Sequence, residues 1–556
     1  MTFLDQKPGI PVFDIEAIGW VNPIAVGFFD GYEYKEFIRE SEEDNVIRRF
    51  LECLETSYQG IRLYAHCASK YDNKFILAEL CKMGKKVTPE AGLIRLKWED
   101  TKIFFEDSYP LVPMSLKNMN KMFKVEEKEE WSHKETVKPW EMGEHLTTFR
   151  EYLRIDCLSL SHSLEKLCEE LGRNFGITPS ISLATTSVKA FNKCFYDLDN
   201  IHSNEEFEDF IRGAVYGGRN EVYKRYGENI NLYDIRSMYV SCYDTPVPIG
   251  KMFWTKKNID KGTIAEATVQ VPKDWYIGPL PYRREGRLIF PVGEITSVWD
   301  IKELQNAVRL GCDLIIRRQM IADEEPVLAE FGKYVLSLRS QGKQEFWKMF
   351  GLSLSGKFGQ GRWRDTVKHI EDIKDDRTDW TPLDKDELYF IKKEYSSGRL
   401  PYIKPAVAMR VRAEARIRHL RSLLQAKELG DIFYCDTDSV YTTSKIETKG
   451  QPGELTLFGK ASRGYFIRQK LYALVQNGRL KQTSAGYSDL KLSEDDFRKI
   501  LEGEEVRVVE ENLPNFKEVL KAGEVELLTH VRKIKKDQGS SRVSEGMDTR
   551  PICINP

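Results

Sequence analysis

Residues 432–443 read IFYCDTDSVYTT, in which two short apolar runs flank Asp436, Thr437 and Asp438. Runs rich in β-branched and aromatic residues around a polar turn are typical of a β-hairpin. Asp436 and Asp438 stand two positions apart, so on a regular strand they would share one face. Two carboxylates held close together cost free energy unless a cation neutralises them. The segment therefore predicts a hairpin whose tip binds divalent cations.

A third carboxylate and a lysine extend this prediction. Asp234 ends the apolar run INLYD, which reads as a strand. Two strands that each deliver an aspartate to one point make the two-metal arrangement used in phosphoryl transfer. Between them, KMFGLSLSGKFG predicts a helix with Lys348, Leu352 and Ser355 on one face. A lysine that faces two metals is well placed to hold a triphosphate as a point charge.

The composition bounds the class of protein but not its function. A chain of 556 residues is too long for one hydrophobic core, so we expect two or more domains. With 41% hydrophobic and 31% charged residues it has the profile of a soluble globular protein, and residues 1–17 lack the pattern of a secretory signal. Ten scattered cysteines without a CxxC pair indicate a reducing, intracellular setting rather than zinc or disulfides. The net charge of −2 neither supports nor excludes DNA binding.

The order of four motifs carries a family resemblance. YDIRSMY at 233–239, KMFGLSLSGKFG at 348–359, YCDTDS at 434–439 and RQKLY at 468–472 resemble motifs A, B, C and KxY of family B DNA polymerases. The resemblance implies a right-hand polymerase in which Asp234 and Asp436 bind the metals and Asp438 supports them. The residues that the resemblance assigns to the incoming nucleotide are Tyr239 under the sugar, Lys348 at the triphosphate, Ser355 in the base-pair pocket, and Ser237 and Met238 beside them.

The same resemblance assigns residues to DNA. Lys470 and Tyr472 would hold the primer terminus. YGGR at 216–219 resembles a YxGG motif, which implies template contacts by Tyr216, Gly217, Gly218 and Arg219. The tyrosine stands one place late, with Val215 in its usual position, so the two glycines match the motif better than Tyr216 does. Glycines suit a loop that must approach the DNA backbone closely.

Three motifs in the N-terminal part resemble those of DnaQ-like 3′–5′ exonucleases: FDIEAIG at 13–19, AHCASKYDNKFI at 65–76 and EYLRID at 151–156. The resemblance implies an RNase H-like domain with two metals. Its carboxylate ligands would be Asp14, Glu16, Asp72 and Asp156, and Tyr152 would orient the attacking water. MSLKNM at 114–119 resembles a motif that touches single-stranded DNA through Ser115 and Leu116. Lys128 is the expected assisting lysine, with Lys134 as its competitor.

Some positions depart from the family pattern. Cys67 stands where an asparagine usually holds the single-stranded 3′ end. In motif B, Leu352 replaces an asparagine and Ser355 a tyrosine, and Val240 replaces a proline after motif A. Because the tyrosine of motif B shapes the pocket for the nascent base pair, we expect altered fidelity or nucleotide handling rather than loss of the chemistry.

The compact length and the long connections between motifs A, B and C resemble the protein-primed branch of family B. That branch implies a multidomain α/β and α+β fold in which two insertions interrupt the polymerase. The expected domains are the exonuclease at 1–175, the first part of the palm at 176–245, a terminal-protein-contacting insertion at 246–325, the fingers at 326–359, a polar, irregular insertion for processivity and strand displacement at 360–403, the second part of the palm at 404–492 and the thumb at 493–556.

The resemblance also implies cofactors and partners. We expect two Mg²⁺ ions at each site, which Mn²⁺ can replace, together with DNA primer–template and dNTPs. Further expected partners are a terminal protein that acts as primer and a single-stranded-DNA-binding protein. We expect the chain to be a monomer that replicates a viral or linear-plasmid genome, without membrane association. Its expected location is the host cytoplasm or a plasmid-bearing organelle. The alternatives are a family B polymerase with an RNA or DNA primer, a nuclease with impaired synthesis, and a non-catalytic DNA-binding scaffold.

Overall fold

The computed structural model describes residues 8–125, 137–374, 377–396, 400–487 and 490–555. The chain divides into two compact units, each of which mixes helices and strands. The first unit contains residues 1–189, 361–398 and 511–529, and the second contains residues 190–360, 399–510 and 530–556. Within the described ranges, no helix combines the length and the apolar character that crossing a bilayer requires.

The helices of the described residues, in chain order, are α1 (Val46–Ser57), α2 (Asp72–Lys82), α3 (Leu116–Phe123), α4 (His145–Phe175), α5 (Leu183–Cys194), α6 (Glu208–Gly213), α7 (Met238–Ser241), α8 (Ile301–Leu310), α9 (Ala329–Gln341), α10 (Gln344–Phe358), α11 (Pro405–Leu429), α12 (Glu494–Glu502) and α13 (Phe516–Ala522).

The strands are β1 (Val12–Ile18), β2 (Asn22–Phe29), β3 (Tyr34–Ile38), β4 (Arg62–Ala65), β5 (Val87–Glu90), β6 (Arg95–Trp98), β7 (Ile103–Asp107), β8 (Asn220–Val222), β9 (Tyr226–Ile235), β10 (Val247–Pro248), β11 (Phe253–Thr255), β12 (Ile264–Val271), β13 (Tyr282–Arg284), β14 (Arg287–Ile289), β15 (Val292–Asp300), β16 (Asp313–Ile321), β17 (Glu324–Glu325), β18 (Trp363–His369), β19 (Thr381–Pro382), β20 (Tyr389–Tyr395), β21 (Ile432–Asp436), β22 (Ser439–Thr442), β23 (Leu455–Arg468), β24 (Leu471–Gln476), β25 (Arg479–Ser484), β26 (Val506–Asn512), β27 (Leu528–Ile534), β28 (Arg542–Glu545), β29 (Asp548–Pro551) and β30 (Cys553–Ile554).

The first unit is built on a seven-stranded mixed sheet with the order β3-β2-β1-β4-β7-β6-β5. β4 runs parallel to both β1 and β7, while the other pairs are antiparallel. Phe13 and Ile15 of β1 are buried in a core that includes Phe28 and Phe50. Because neighbouring side chains of a strand point to opposite faces, this burial turns Asp14 and Glu16 of β1 toward the other face. The long helix α4 packs against β1 and β2.

Two later segments complete the first unit. β18, β20 and β19 form a three-stranded sheet, and Tyr389 of β20 lies in the same core as Val87 of β5. The Tyr389 hydroxyl accepts a hydrogen bond from the Val87 amide at 3.1 Å. Leu520 of α13 joins that core as well. Within residues 361–398, the described strands β18, β19 and β20 therefore form an ordered sheet of the first unit rather than an irregular insertion, and the predicted thumb at 493–556 is shared between the two units.

The second unit is centred on a seven-stranded antiparallel sheet with the order β25-β24-β23-β9-β22-β21-β8. The hairpin predicted at 432–443 is present as β21 and β22, with Asp436 opposite Ser439. β9 pairs with β22 on one side and with β23 on the other. The predicted helical stretch before residue 359 is divided into α9 and α10 at Gly342, whose φ of +140° favours glycine.

A five-stranded sheet with the order β11-β16-β12-β15-β30 covers most of the first predicted insertion. The strand-rich character expected at 246–325 is present, but the sequence analysis did not predict helix α8 within it. Leu304 of α8 and Trp299 of β15 are fully buried in the core of this sheet. The short hairpin of β13 and β14 is a separate two-stranded element of the same segment.

Candidate active sites

Asp234 and Asp438 face each other in the second unit, and their carboxyl groups share a hydrogen bond. Asp234 lies on β9 opposite Ser439 of β22, and the Ile235 amide donates to the Asp438 carbonyl at 2.8 Å. Burial raises the pKa of both carboxyl groups, and the neighbouring Asp234 charge adds to the rise that brings the pKa of Asp438 to about 7. The two carboxylates therefore form a pair that a bound cation would stabilise.

Asp436 takes a different partner. Both of its carboxylate oxygens contact Lys470 Nζ, at 2.8 and 3.1 Å. Thr437, between the two hairpin aspartates, has a φ of +62°, so the regular alternation of a strand does not continue through the tip. Asp438 is thus the hydrogen-bonded carboxyl partner of Asp234, whereas Asp436 pairs with Lys470. All three aspartates, with Lys470 and Tyr472, line one cavity of about 360 Å³.

Further cations near the carboxylate pair come from the helix that precedes motif B and from the helix that carries it. Lys348 of α10 lowers the pKa of both Asp234 and Asp438 through its charge, which places its ammonium group toward the carboxylates as predicted. Arg339 of α9 donates a hydrogen bond to Ser237 Oγ. Glu345 opposes Lys348 by raising the pKa of Asp234. Arg339 and Glu345 were not predicted from the sequence, because neither residue lies within motif A, B or C.

Three residues assigned to the nucleotide are buried. Ser355 is 2% exposed and its hydroxyl donates to the Leu352 carbonyl at 3.2 Å, inside its own helix. Met238 is 2% exposed and Ser237 is 8% exposed. These side chains pack inside the protein, so their burial gives no support to the predicted nucleotide contacts of Ser237, Met238 and Ser355. Leu352, one turn after Lys348, is exposed and takes the surface position on that face.

Tyr239 is half-buried close to the carboxylate pair. Burial raises the pKa of its hydroxyl, while the charges of Arg416 and Arg412 lower it and the charge of Asp438 raises it further. These interactions place the phenol between the arginines of α11 and the catalytic hairpin. The contact of Tyr239 with an incoming sugar stays a prediction.

The YGGR segment splits into buried and surface residues. The Tyr216 ring is 1% exposed and its hydroxyl hydrogen-bonds Ser297 Oγ at 2.7 Å. Arg219 is 2% exposed, pairs with Glu221 at 2.7 Å and stacks on Phe290. Both predicted DNA contacts are wrong, because each side chain is already bound inside the protein. Gly217 and Gly218 are the members of the motif that reach the surface.

Gly218 and the primer motif both touch the catalytic hairpin. A Cβ atom added to Gly218 would lie 2.8 Å from the Thr437 side chain. Lys470 has a φ of +56°, and its amide donates to the Tyr434 hydroxyl at 3.1 Å. The Tyr472 hydroxyl hydrogen-bonds that of Tyr441 at 3.1 Å. The structure thus brings Lys470 and Tyr472 to the cavity, as predicted.

The first unit contains a second carboxylate cluster. Oxygens of Asp14, Glu16 and Asp156 lie within 4.8 Å of one another. Asp72, at the start of α2, accepts a hydrogen bond from the Ile15 amide at 3.1 Å, and burial followed by the charge of Asp14 raises its pKa. β1, α2 and α4 therefore bring all four predicted carboxylates together.

Tyr152 lies one helical turn before Asp156 on α4, close enough for that carboxyl group to raise the pKa of its hydroxyl. Burial raises the pKa of the Tyr152 hydroxyl, with the charges of Glu16 and Asp156 as further causes. The phenol is therefore neutral and is positioned at the edge of the carboxylate cluster. This is the place predicted for the residue that orients a nucleophilic water.

The predicted single-strand contacts have mixed positions. Ser115 is exposed at the start of α3, where its Oγ accepts from the Asn118 amide at 3.4 Å, and Leu116 is half-buried. Cys67 adopts a φ of +64°, and burial raises the pKa of its thiol to about 11. Lys128 and Lys134 lie outside the described residues.

Both clusters have the chemistry of a magnesium site. They present several carboxylate oxygens at one point, which are the ligands that Mg²⁺ and Mn²⁺ prefer. Burial and mutual repulsion raise the pKa of Asp72 in one cluster and of Asp438 in the other. A divalent cation would remove that repulsion, so the residues present fit the expected metal.

Comparison with known proteins gives consistent results. The sequence profile of the family described as "DNA polymerase type B, organellar and viral" matches residues 52–139 and 125–389. A probable DNA polymerase of Ascobolus immersus is 22% identical over 505 residues, covering 77% of this chain and 42% of the relative. The DNA-directed DNA polymerase of Enterobacteria phage PRD1 is 24% identical over 437 residues, covering 75% of this chain and 73% of the relative.

The fold is shared with phi29 DNA polymerase solved with primer–template DNA and incoming nucleotides. That likeness has a TM-score of 0.69 at 15% identity and covers 95% of this chain and all of the other. The chain spans between 31% and 52% of the length of the relatives from Ascobolus immersus, Podospora anserina and Neurospora intermedia. Since the family profile matches more than half of its residues, the chain belongs to the organellar and viral type B DNA polymerases.

Proposed function

We propose that this chain is a DNA-dependent DNA polymerase that carries its own 3′–5′ proofreading exonuclease. The pairing of Asp234 with Asp438 beneath Lys348 is the observation that supports synthesis most directly. It combines a carboxylate pair that lines one cavity with a lysine whose charge acts on both carboxyl groups. That is the set of charges required to hold two metals and a triphosphate.

The polymerase reaction is the attack of a primer 3′-hydroxyl on the α-phosphate of a dNTP, with pyrophosphate as leaving group. Asp234 and Asp438 would hold the metals, with Asp436 at the edge of the set. When bound, the metals supply charge that lowers the pKa of the 3′-hydroxyl and stabilises the leaving pyrophosphate. Lys348 would bind the triphosphate, and Lys470 would hold the primer strand next to the hairpin.

Two further residues would shape the nucleotide pocket. Arg339 lies at Ser237, close to the start of motif A, and adds a second cation on the side of the fingers helices. Tyr239 would pack under the sugar and exclude a 2′-hydroxyl by its bulk. Leu352 replaces a polar residue of the family by an exposed apolar one, so the base-pair face of the pocket is more apolar than in the family pattern.

The exonuclease would use the cluster of the first unit. Asp14, Glu16, Asp72 and Asp156 would hold its metals, and the neutral Tyr152 phenol would orient a water for attack on the terminal phosphodiester. Ser115 and Leu116 would contact the frayed strand. Separate clusters in the two units predict that each activity can be removed without the other.

A pair of matched variants tests this two-site proposal. Extension of a recessed primer with Mg²⁺ and dNTPs is measured beside degradation of a labelled single strand. We expect Asp234→Asn to abolish extension and to leave degradation intact, while Asp14→Asn does the reverse. If either variant loses both activities while melting at the wild-type temperature, the proposal of two independent sites is incorrect.

We also propose that synthesis starts on a terminal protein and displaces the strand ahead. The support is the architecture: the connection between motifs A and B supplies four strands of a five-stranded sheet, and that between B and C carries a three-stranded sheet. Loops of such length in compact enzymes are seldom without function. The hydroxyl of a serine, threonine or tyrosine of the terminal protein would attack the first dNTP as a primer does.

Two measurements test this second proposal. Extension from a nick on a circular duplex, without a helicase, should continue past one full turn of the circle. A purified terminal protein encoded beside this chain should accept a single labelled dNTP covalently, and Asp438→Asn should abolish the transfer. Transfer that fails with a chain that extends ordinary primers would favour an RNA- or DNA-primed polymerase.

A further inference from the structure

A groove of about 500 Å³ in the second unit begins beside the catalytic hairpin. The residues that line it include Gly218, Asn220, Arg287, Gln469, Lys470 and Gly486. Lys470 at one side is the residue that contacts Asp436, and Gly218 in the lining is the glycine that touches Thr437. The groove is thus continuous with the cavity that contains the three aspartates.

The charge of this groove differs sharply from that of the adjoining cavity. Among the residues that the structure describes, its lining holds two cations, Lys470 and Arg287, and no carboxylate. Asn220 and Gln469 contribute amides, and two glycines leave room for a chain to approach closely. A groove with cationic, amide and glycine lining suits a sugar-phosphate backbone, because these groups bind phosphate oxygens without reading a base.

Arg287 belongs to the hairpin of β13 and β14, inside the segment first predicted to contact a terminal protein. It stands directly opposite Arg284 across the hairpin. Two like charges in that position cost free energy. Glu285 lies 4.0 Å from Arg284 and offsets that arginine, whereas Arg287 forms no ion pair within the described ranges. The Arg287 residue is exposed and lines the groove.

The hairpin is held in this position by its apolar residue. Leu288 follows Arg287, and its side chain lies 3.7 Å from where a Cβ of Gly217 would stand. Leu288 therefore packs on the surface glycines of the YGGR segment, and this contact fixes Arg287 on the groove. The neighbouring Arg283 reinforces the attachment by donating to the carbonyls of Gly213 and Val215.

We propose that this groove binds the backbone of the primer strand behind its 3′ end and that Arg287 contacts a phosphate there. The inference rests on the proposed polymerase function and adds a strand-binding residue supplied by the first insertion. Arg287 would act together with Lys470, so that the growing duplex is held between the β13–β14 hairpin and the β23–β24 turn.

The test measures binding of a fluorescent primer–template duplex to the full chain by anisotropy, in chelator, over a series of salt concentrations. Arg287→Ala should weaken binding several-fold and reduce the slope of log K against log salt by about 1. Arg287→Lys should retain the slope. Arg284→Ala is the matched control, since it removes a neighbouring arginine that is outside the lining, and it should bind like wild type.

Primers with one neutral methylphosphonate linkage locate the contact. Moving that linkage back from the 3′ end should reveal one position at which wild type and Arg287→Ala bind equally. If Arg287→Ala binds every duplex like Arg284→Ala, the inference is wrong and the hairpin serves another partner. If the wild-type chain itself neither binds the duplex nor extends it with Mg²⁺, the proposed function fails instead.

Discussion

Gly218, which precedes β8, touches Thr437 in the turn between β21 and β22 of the second unit. A Cβ atom at position 218 would lie 2.8 Å from both the Oγ1 and the Cγ2 of Thr437, which is closer than side chains pack. Thr437 separates Asp436 from Asp438 and has a φ of +62°. The loop of the YGGR segment therefore supports the tip of the catalytic hairpin directly.

This contact predicts that Gly218→Ala lowers the rate of synthesis, because the added methyl group displaces Thr437 and the aspartates on either side. Exonuclease activity should be unchanged. Gly217→Ala is the control, since its Cβ would meet only Leu288 at an ordinary distance of 3.7 Å. Single-turnover primer extension measures both. Adding Thr437→Ser, which removes one methyl group, should restore part of the rate; equal rates for the two alanine variants would contradict the contact.

Lys348→Met should raise the KM for dNTPs and lower kcat/KM roughly ten- to a hundredfold, because a charge-assisted hydrogen bond is worth about 1.5–3 kcal/mol. Degradation of single strands should not change. Lys333→Met is the matched control on the preceding helix, where Lys333 pairs with Glu330 at 2.7 Å on the surface. Steady-state extension of one nucleotide measures both variants. An unchanged KM for Lys348→Met would remove Lys348 from the triphosphate site.

Tyr152→Phe should slow 3′–5′ degradation by roughly tenfold or more, because it removes the hydroxyl that would orient the water while keeping the ring. Primer extension should proceed at the wild-type rate. Tyr64→Phe serves as control, since it removes another half-buried hydroxyl of the same unit, whose charged neighbour is Glu106. If the two variants degrade a labelled strand equally fast, Tyr152 has no part in the nuclease reaction.

His419 predicts a loss of stability in mild acid. It is fully buried, and its Nε2 lies 3.1 Å from the Ser439 carbonyl. Burial lowers its pKa to about 3, a shift that the charge of Arg219 reinforces and the Ser439 carbonyl opposes. Between about pH 6.5 and pH 3 the unfolded chain binds a proton at this position and the folded chain does not, so the free energy of unfolding falls as pH falls.

His419→Gln keeps a hydrogen-bond donor but cannot titrate. Its urea-unfolding free energy should therefore decline less steeply than that of wild type between pH 6.5 and pH 4.5. His530→Gln is the control, because His530 is exposed. Parallel pH profiles for wild type and His419→Gln would show that His419 is protonated in the folded chain.

Much of the site could be predicted because its residues follow local rules. A short local segment of sequence is enough to predict each of three elements: the hairpin at 432–443, the strand of Asp234 and the helix of Lys348. The choice between Asp436 and Asp438 was not predicted, since it depends on the left-handed conformation of Thr437 rather than on strand alternation. The predicted DNA contacts of Tyr216 and Arg219 have a different difficulty. A motif specifies residue types, whereas the burial of these two side chains depends on β15 and Phe290, which lie far along the chain.

Local sequence patterns were also insufficient to predict which segments of the chain belong to which unit. Residues 361–398 read as polar and irregular, yet Val367 and Tyr389 complete the core around Val87 in the first unit. A segment with only a few apolar residues, which pack against a distant strand, lacks the regular apolar alternation from which a strand is predicted. The same holds for Leu520, which joins that core from the segment predicted as thumb.

Asp234 and Asp438 are proposed to form the metal-binding pair of the polymerase site. The most direct measurement is Mg²⁺-dependent extension of a recessed primer by wild type, Asp438→Asn and Asp436→Asn, with Mg²⁺-dependent shifts in Tm recorded beside it. We predict that Asp438→Asn abolishes extension, keeps strand degradation and loses the part of the Tm shift due to the second unit. Asp436→Asn should keep more of that shift, because Asp436 is already neutralised by Lys470. Extension by Asp438→Asn at the wild-type rate would contradict the account.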